Sequence, residues 1–250
     1  MNQAIPRRLP FLDELRGFLI ILVCLYHLGY DLAAIFGLPM PWFFGAAVNS
    51  IRDGMTGSLM VLSGVSCHLS RSNAKRGART FALGMLLTAV TFFVMPDQLI
   101  VFGILHYFGL CMLFYAAAKP ILAQIPPFAG AVVSGILFLI TRPLGQGNLW
   151  LGPLGLLRLP AALYQPKWLF WLGFPSPGFF SADYYPLLPW GFLFLLGVFL
   201  GARWRQNGYP EWFRASRVPA LALAGRHTLA IYLIHQPLLL GALMLLFSFR

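Results

Sequence analysis

Apolar runs long enough to cross a bilayer recur along this chain, and that repetition limits what it can fold into. The runs fall at about 15–36, 54–70, 79–95, 99–118, 127–141, 186–203 and 226–247. A helix of roughly 20 apolar residues spans the hydrocarbon core. There, backbone amides find no water and must be satisfied within the segment. A membrane barrel would show alternating segments of about ten residues instead. The composition agrees, with 59% hydrophobic and 10% charged residues, against about 25% charged in a soluble domain. The expected fold is all-α: a polytopic integral-membrane helix bundle of about seven transmembrane helices, with lipid as its first partner. No repeat or low-complexity tract divides residues 1–250, so a single domain is expected.

The net charge of +11 does not call for nucleic acid. Basic residues gather in the cytoplasmic loops of membrane proteins. With the N-terminus inside, Arg7, Arg8, Arg16, Arg71, Lys75, Arg76, Arg79, Lys119, Arg203, Arg205, Arg214, Arg217 and Arg226 lie on the cytoplasmic side. Arg52, Arg142, Arg158, Lys167 and Arg250 lie outside. Thirteen against five favours N-in and C-out. Cys24, Cys67 and Cys111 each sit in an apolar run without metal-binding or CxxC spacing, so they read as small buried hydrophobes and no metal is expected. No small-residue cleavage site follows the first run, so no secretory signal peptide is expected.

Residues 142–185 form a Pro-, Gly- and aromatic-rich segment too broken for a clean span. Its Trp and Tyr suit the headgroup region. It is expected to be an outer loop, with a re-entrant or short interfacial helix near 149–172 left open.

The first span, "DELRGFLIILVCLYHLGYDL", carries residues that hydrocarbon disfavours. A charge near the bilayer centre costs about 2.5–3.5 kcal/mol on insertion scales, and such residues face the bundle interior. At about 100° per residue, Arg16 and His27 differ by only about 20° and stand roughly 16 Å apart along the axis. Asp13 and Asp31 extend the same stripe. A guanidinium at the cytoplasmic boundary can hold an anionic donor through paired hydrogen bonds. An imidazole deeper in can act as base or nucleophile, and Asp31 can fix its tautomer. The plainer alternative is a helix-end anchor plus one interhelical hydrogen bond.

Other polar groups sit in or beside spans. His106 lies in "FGILHYFGL", and His235 and Gln236 lie in "AIYLIHQPLL". Arg52 and Asp53 precede the second run. With Asp13, these are candidate cavity-lining residues. His68 and His227 fall at span ends and rank low. Arg71, Lys75, Arg76 and Arg79 crowd "SRSNAKRGAR". Positive-inside asymmetry alone predicts such a loop, and a phosphate-binding patch is the functional alternative.

Five segments, "FLDELRGFLIILVCLYH", "DGMTGSLMVLSGVSCHLSRSNAKRGAR", "FGILHYFGL", "YYPLLPWGFLFLLGVFLGA" and "AGRHTLAIYLIHQPLL", carry a resemblance. The first resembles the opening of the transmembrane acyltransferases, where ten residues separate an arginine from a histidine, as they do Arg16 from His27. Together the five are similar to small bacterial members of the heparan-α-glucosaminide N-acetyltransferase catalytic family. The match covers most of the chain except 142–183. The resemblance implies acyl transfer across the bacterial inner membrane. The donor would be acyl-CoA, acetyl-CoA above all, bound from the cytoplasm. The acceptor would be a hydroxyl or amine, often on a saccharide. The eukaryotic acetyltransferase has a catalytic histidine just before an "NGLT"-like motif. Here "VNSIRDGMTGS" places Asn49 near that position, with Arg52 and Asp53 as the local polar groups. That role does not carry over.

The reading that follows is an integral-membrane acyltransferase. His27 would serve as base or transient acyl carrier, oriented by Asp31. Arg16 with Arg71, Lys75, Arg76 and Arg79 would hold the donor phosphates. A homodimer is left open. A transporter for a small solute or proton is the rival, with the His/Asp stripe as its relay. A structural partner of a polysaccharide assembly complex is a third.

Overall fold

The structure, a computed structural model, describes residues 9–248. Arg7, Arg8 and Arg250, which entered the charge asymmetry, lie outside the described residues. Eight α-helices are present among the described residues: α1 (Pro10–Tyr30), α2 (Ala46–Ser66), α3 (Asn73–Val94), α4 (Ile104–Leu122), α5 (Pro127–Thr141), α6 (Leu187–Asn207), α7 (Pro219–Arg226) and α8 (Thr228–Ser248). Six are long and apolar enough to cross a membrane: α1, α3, α4, α5, α6 and α8, counting the turns that extend α1 to Ile35 and α5 to Gln146. The chain is an all-α polytopic membrane protein. The second expected span is the difference. Its helix begins at Ala46 rather than near Gly54 and has 21 residues. Asn49, Arg52 and Asp53 in its first turns leave it less apolar than the other six.

The chain divides into two compact units, residues 1–59 with 208–250, and residues 60–207. The first is built from α1, the start of α2, α7 and α8. Pro10 opens α1 at a position where a missing N–H is harmless, and Asp13 lies in its first turn, where a negative charge suits the helix dipole. After Tyr30 the helix widens into a π-helical turn, Asp31–Ile35, with Phe36 N–H donating to the Asp31 carbonyl at 2.9 Å. Helix α1 packs on α7 through a pair of glycines. A Cβ on Gly17 would strike the Leu221 carbonyl, and one on Gly225 would strike the Asp13 carbonyl. Small residues let membrane helices approach this closely.

Glu14 locks the same pair of helices. One carboxylate oxygen accepts from the Ser216 hydroxyl at 2.7 Å, the Arg217 amide at 2.6 Å and the Val218 amide at 2.9 Å. Those amides lie at the start of α7, where helix geometry leaves N–H groups unpaired.

The second unit packs α3 on α4 and α5 on α6. Residues of α2 from Met60 onward meet α6 through glycine. Cβ atoms on Gly64 and Gly197 would strike the Phe194 and Val61 carbonyls. Tyr107, Phe194, Trp190 and Met60 form its core, and the buried Tyr107 hydroxyl donates to the Trp190 carbonyl at 2.8 Å.

The aromatic segment belongs to this unit. It contains no α-helix. Asn148–Trp150 pairs antiparallel with Leu156–Arg158, and short 3-10 turns follow at Ala161–Tyr164 and Leu169–Leu172. Its end ties down the start of α4. The Ala182 amide donates to the Leu99 carbonyl at 2.9 Å, the Val101 amide to Ser181 Oγ at 3.0 Å, and the Ile104 amide to Asp183 Oδ2 at 2.8 Å. These bonds hold 99–103 out of the helix, so α4 begins at Ile104 rather than near 99.

Candidate functional site

The site assembles within the first unit, where α1 meets α8. His27 and Asp31 are one helical turn apart on α1 and share a stripe. His235 and Gln236 are consecutive on α8, immediately before Pro237. The rings of His27 and His235 meet edge to face, with centroids 4.9 Å apart. Gln236 Nε2 donates to Asp31 Oδ1 at 2.7 Å. Asp31 is completely buried, and His235 is 7% exposed. Tyr26 flanks His27, with ring centroids 5.8 Å apart, and Tyr232 flanks His235 at 5.4 Å.

Hydrogen bonding sets the state of one imidazole. His235 Nδ1 lies 2.6 Å from the Tyr232 carbonyl oxygen. A carbonyl only accepts, so Nδ1 carries the proton. In the neutral ring this leaves a lone pair on Nε2. That atom is buried and has no partner. Asp31 Oδ2 and Gln236 Oε1 share the same condition. Buried polar atoms are nearly always satisfied, and exceptions ask for an explanation.

Among the described residues, no hydrogen bond joins Asp31 to His27. The expected orienting bond is replaced by the one to Gln236. The tautomer that is fixed by a neighbour is that of His235.

Arg16 and Asp13 lie some three turns toward the N-terminal end of α1. Arg16 Nη1 donates to Asp13 Oδ1 at 2.6 Å, and Arg226 Nε approaches Asp13 Oδ2 at 3.9 Å. The expected stripe therefore exists, with its two ends engaged separately: Asp13, Arg16 and Arg226 at one, His27, Asp31, His235 and Gln236 at the other. Arg52 and Asp53, on the first half of α2, pair with each other. Nε and Nη2 of Arg52 lie 3.0 and 2.8 Å from Asp53 Oδ1.

Other candidates lie in the second unit. Arg71 is in the loop after α2, and Lys75, Arg76 and Arg79 are on the first two turns of α3. All four are exposed. Ser72 caps α3 by accepting from the Lys75 amide at 3.3 Å. The cations therefore surround a helix N-terminus, which is itself partly positive.

His106 is fully engaged. Nδ1 accepts from the Gly103 amide at 3.2 Å, so the proton sits on Nε2 and is offered to Thr88 Oγ1 at 3.2 Å. Thr88 passes its own proton to the Ile100 carbonyl at 2.7 Å. This histidine closes the N-terminus of α4. His68 donates from Nε2 to the Val198 carbonyl at 2.8 Å. Among the described residues no three His, Cys, Asp or Glu side chains are arranged to hold a metal ion.

Sequence reasoning missed Glu14 and Asp183 as anchors, and it missed the fixed tautomer of His235. The first two act over 202 and 79 residues of sequence, and no local spacing signals such a partner.

Comparison with known families matches residues 8–237 to the model described as heparan-alpha-glucosaminide N-acetyltransferase, catalytic. No curated protein and no solved structure matches. The match spans both ends of the site, from Asp13 to Gln236. The chain belongs to the heparan-alpha-glucosaminide N-acetyltransferase catalytic family, a family of membrane acyltransferases.

Proposed function

We propose that this protein moves an acyl group, acetyl first among them, from cytoplasmic acyl-CoA to a hydroxyl or amine on the far side of the bacterial inner membrane. A saccharide is the acceptor class that suits the family. The observation that carries the reading is the paired imidazoles of His27 and His235 beside the buried Asp31–Gln236 contact. Acyl transfer needs a base or a nucleophile, and a deeply placed imidazole supplies either.

The rest follows from the charge pattern. With the N-terminus in the cytoplasm, Arg16 lies at the cytoplasmic boundary and His27 deeper. Arg16, on the first unit, is a cation for the donor's phosphates, and Arg71, Lys75, Arg76 and Arg79, on the second, form a patch of the same chemistry. One of the paired imidazoles, His27 or His235, acts as base or transient acyl carrier. Asp31 serves through its contact with Gln236 and not as a tether for His27.

The test is acetyl uptake from radiolabelled acetyl-CoA by the purified protein in lipid nanodiscs. Saturable donor binding with label released to water or to an added acceptor supports the reading. Absence of acetyl-CoA binding sinks it and favours a transporter, for which the buried His27–Asp31 stripe would be a proton or solute relay.

A further inference from the structure

Asp31, His235 and Gln236 each leave one buried polar atom without a partner; with Asp31 ionised, all three atoms are hydrogen-bond acceptors. The His235 proton is held on Nδ1 by the Tyr232 carbonyl, so Nε2 offers a lone pair. The Gln236 amide nitrogen is spent on Asp31 Oδ1, so its free atom is the carbonyl Oε1. The Asp31 carboxylate contributes Oδ2, which in its ionised form only accepts. A buried acceptor without a donor is unfavourable. Three on neighbouring residues ask for a ligand that brings donors. A thioester carbonyl does not fit this description. An amine or hydroxyl does.

We infer that this cluster seats the X–H group of the acyl acceptor, and that His235 rather than His27 is the base that removes its proton. The inference rests on the acyl-transfer reading and assigns the acceptor side of the same site. Asp31 Oδ2 and Gln236 Oε1 receive the acceptor's remaining N–H or O–H donors. The X lone pair attacks the thioester carbonyl carbon of acyl-CoA, and the X–C bond forms. The C–S bond breaks, and its electron pair leaves on sulfur. His235 Nε2 takes the X–H proton and returns it to the thiolate, which departs as free CoA thiol. The ring ends as it began, with its proton on Nδ1. Nothing comparable prepares His27. Among the described residues no hydrogen bond fixes its tautomer.

The experiment uses the full chain in phosphatidylcholine–phosphatidylglycerol nanodiscs. Radiolabelled acetyl-CoA is the donor and hydroxylamine the small X–H probe, with acetohydroxamate as product. His235→Gln should lower kcat at least about 100-fold, the scale of a lost general base, and leave the acetyl-CoA Kd within about two-fold. Gln236→Leu should act mainly on KM for hydroxylamine, raising it about ten-fold.

A second measurement needs no turnover. In protein labelled with nitrogen-15 histidine, the resonances absent from His235→Gln or His235→Asn protein should show the Nδ1–H tautomer. Adding hydroxylamine should shift the Nε2 signal. Wild-type kcat in His235→Gln, or an Nε2–H tautomer at His235, overturns the inference and leaves the acyl-transfer reading standing. Wild-type protein that does not bind acetyl-CoA removes both.

Discussion

Gln236 Nε2 donates to Asp31 Oδ1 at 2.7 Å, so the buried carboxylate on the first membrane helix is partnered by an amide on the last and not by the histidine one turn before it. In hydrocarbon such a contact is made because the alternative is an unsatisfied polar group. Gln236→Leu and Asp31→Asn should each destabilise the protein, and their effects should not add. A double-mutant cycle followed by unfolding in detergent should return a coupling on the order of 1 kcal/mol. Strict additivity would show that the contact holds nothing together.

His27→Ala and Arg16→Ala should fail in different ways. The two side chains sit some three turns apart on α1. Removing His27 takes away the ring beside His235 and should reduce acyl transfer less than His235→Gln does, with the acetyl-CoA Kd little changed. Removing Arg16 should weaken donor binding first. His27→Ala protein that loses as much activity as His235→Gln, with donor binding intact, would return the role of base to His27.

Charge reversal at Arg76 tests the exposed patch at the start of α3. If the patch grips donor phosphates, Arg76→Glu should weaken acetyl-CoA binding, and raising the salt concentration should do the same to the wild type. Unchanged binding with disturbed membrane insertion would reduce these cations to a topology signal.

The orientation is open to a direct measurement. A reporter active only in the cytoplasm, fused after Arg250, should be silent if the chain runs N-in and C-out. Strong activity would place both termini on one side. The six long apolar helices of the described residues would fit that even count.

The sequence exposed the helices well, because hydrocarbon imposes a length and a composition that no local context can override. Residues 127–141 show it: the expected run and helix α5 coincide. Where polar contacts between distant segments intervene, the reading slipped. The start of α4 moved to Ile104 because Ser181 takes the Val101 amide and Asp183 that of Ile104. The α2 helix reached back to Ala46 through Arg52 and Asp53, residues that an apolar scan reads as loop.

The candidate site divided along the same line. Helical spacing placed Arg16, His27 and Asp31 on one stripe, because that is a property of α1 alone. Spacing could not say that Asp31 would turn to Gln236, or that the Tyr232 carbonyl would fix the proton of His235. Both depend on what a second helix brings, or on how a ring turns back onto its own backbone. His106 shows the converse. Alone in an apolar run it is a candidate for lining a cavity, yet Gly103 and Thr88 engage both its ring nitrogens.

The contact between Asp31 and Gln236 spans 205 residues of sequence, and this sets an order of events during synthesis. A ribosome adds about 5–20 residues each second, so α1 enters the membrane roughly 10–40 s before the helix that completes it. For that interval a carboxylate that ends wholly buried has no amide to bond. The newly made chain must keep Asp31 near water, near lipid headgroups or in the care of the insertion machinery until α8 arrives. Any truncation that stops short of Gln236 leaves that condition permanent, so α8 decides whether α1 can settle.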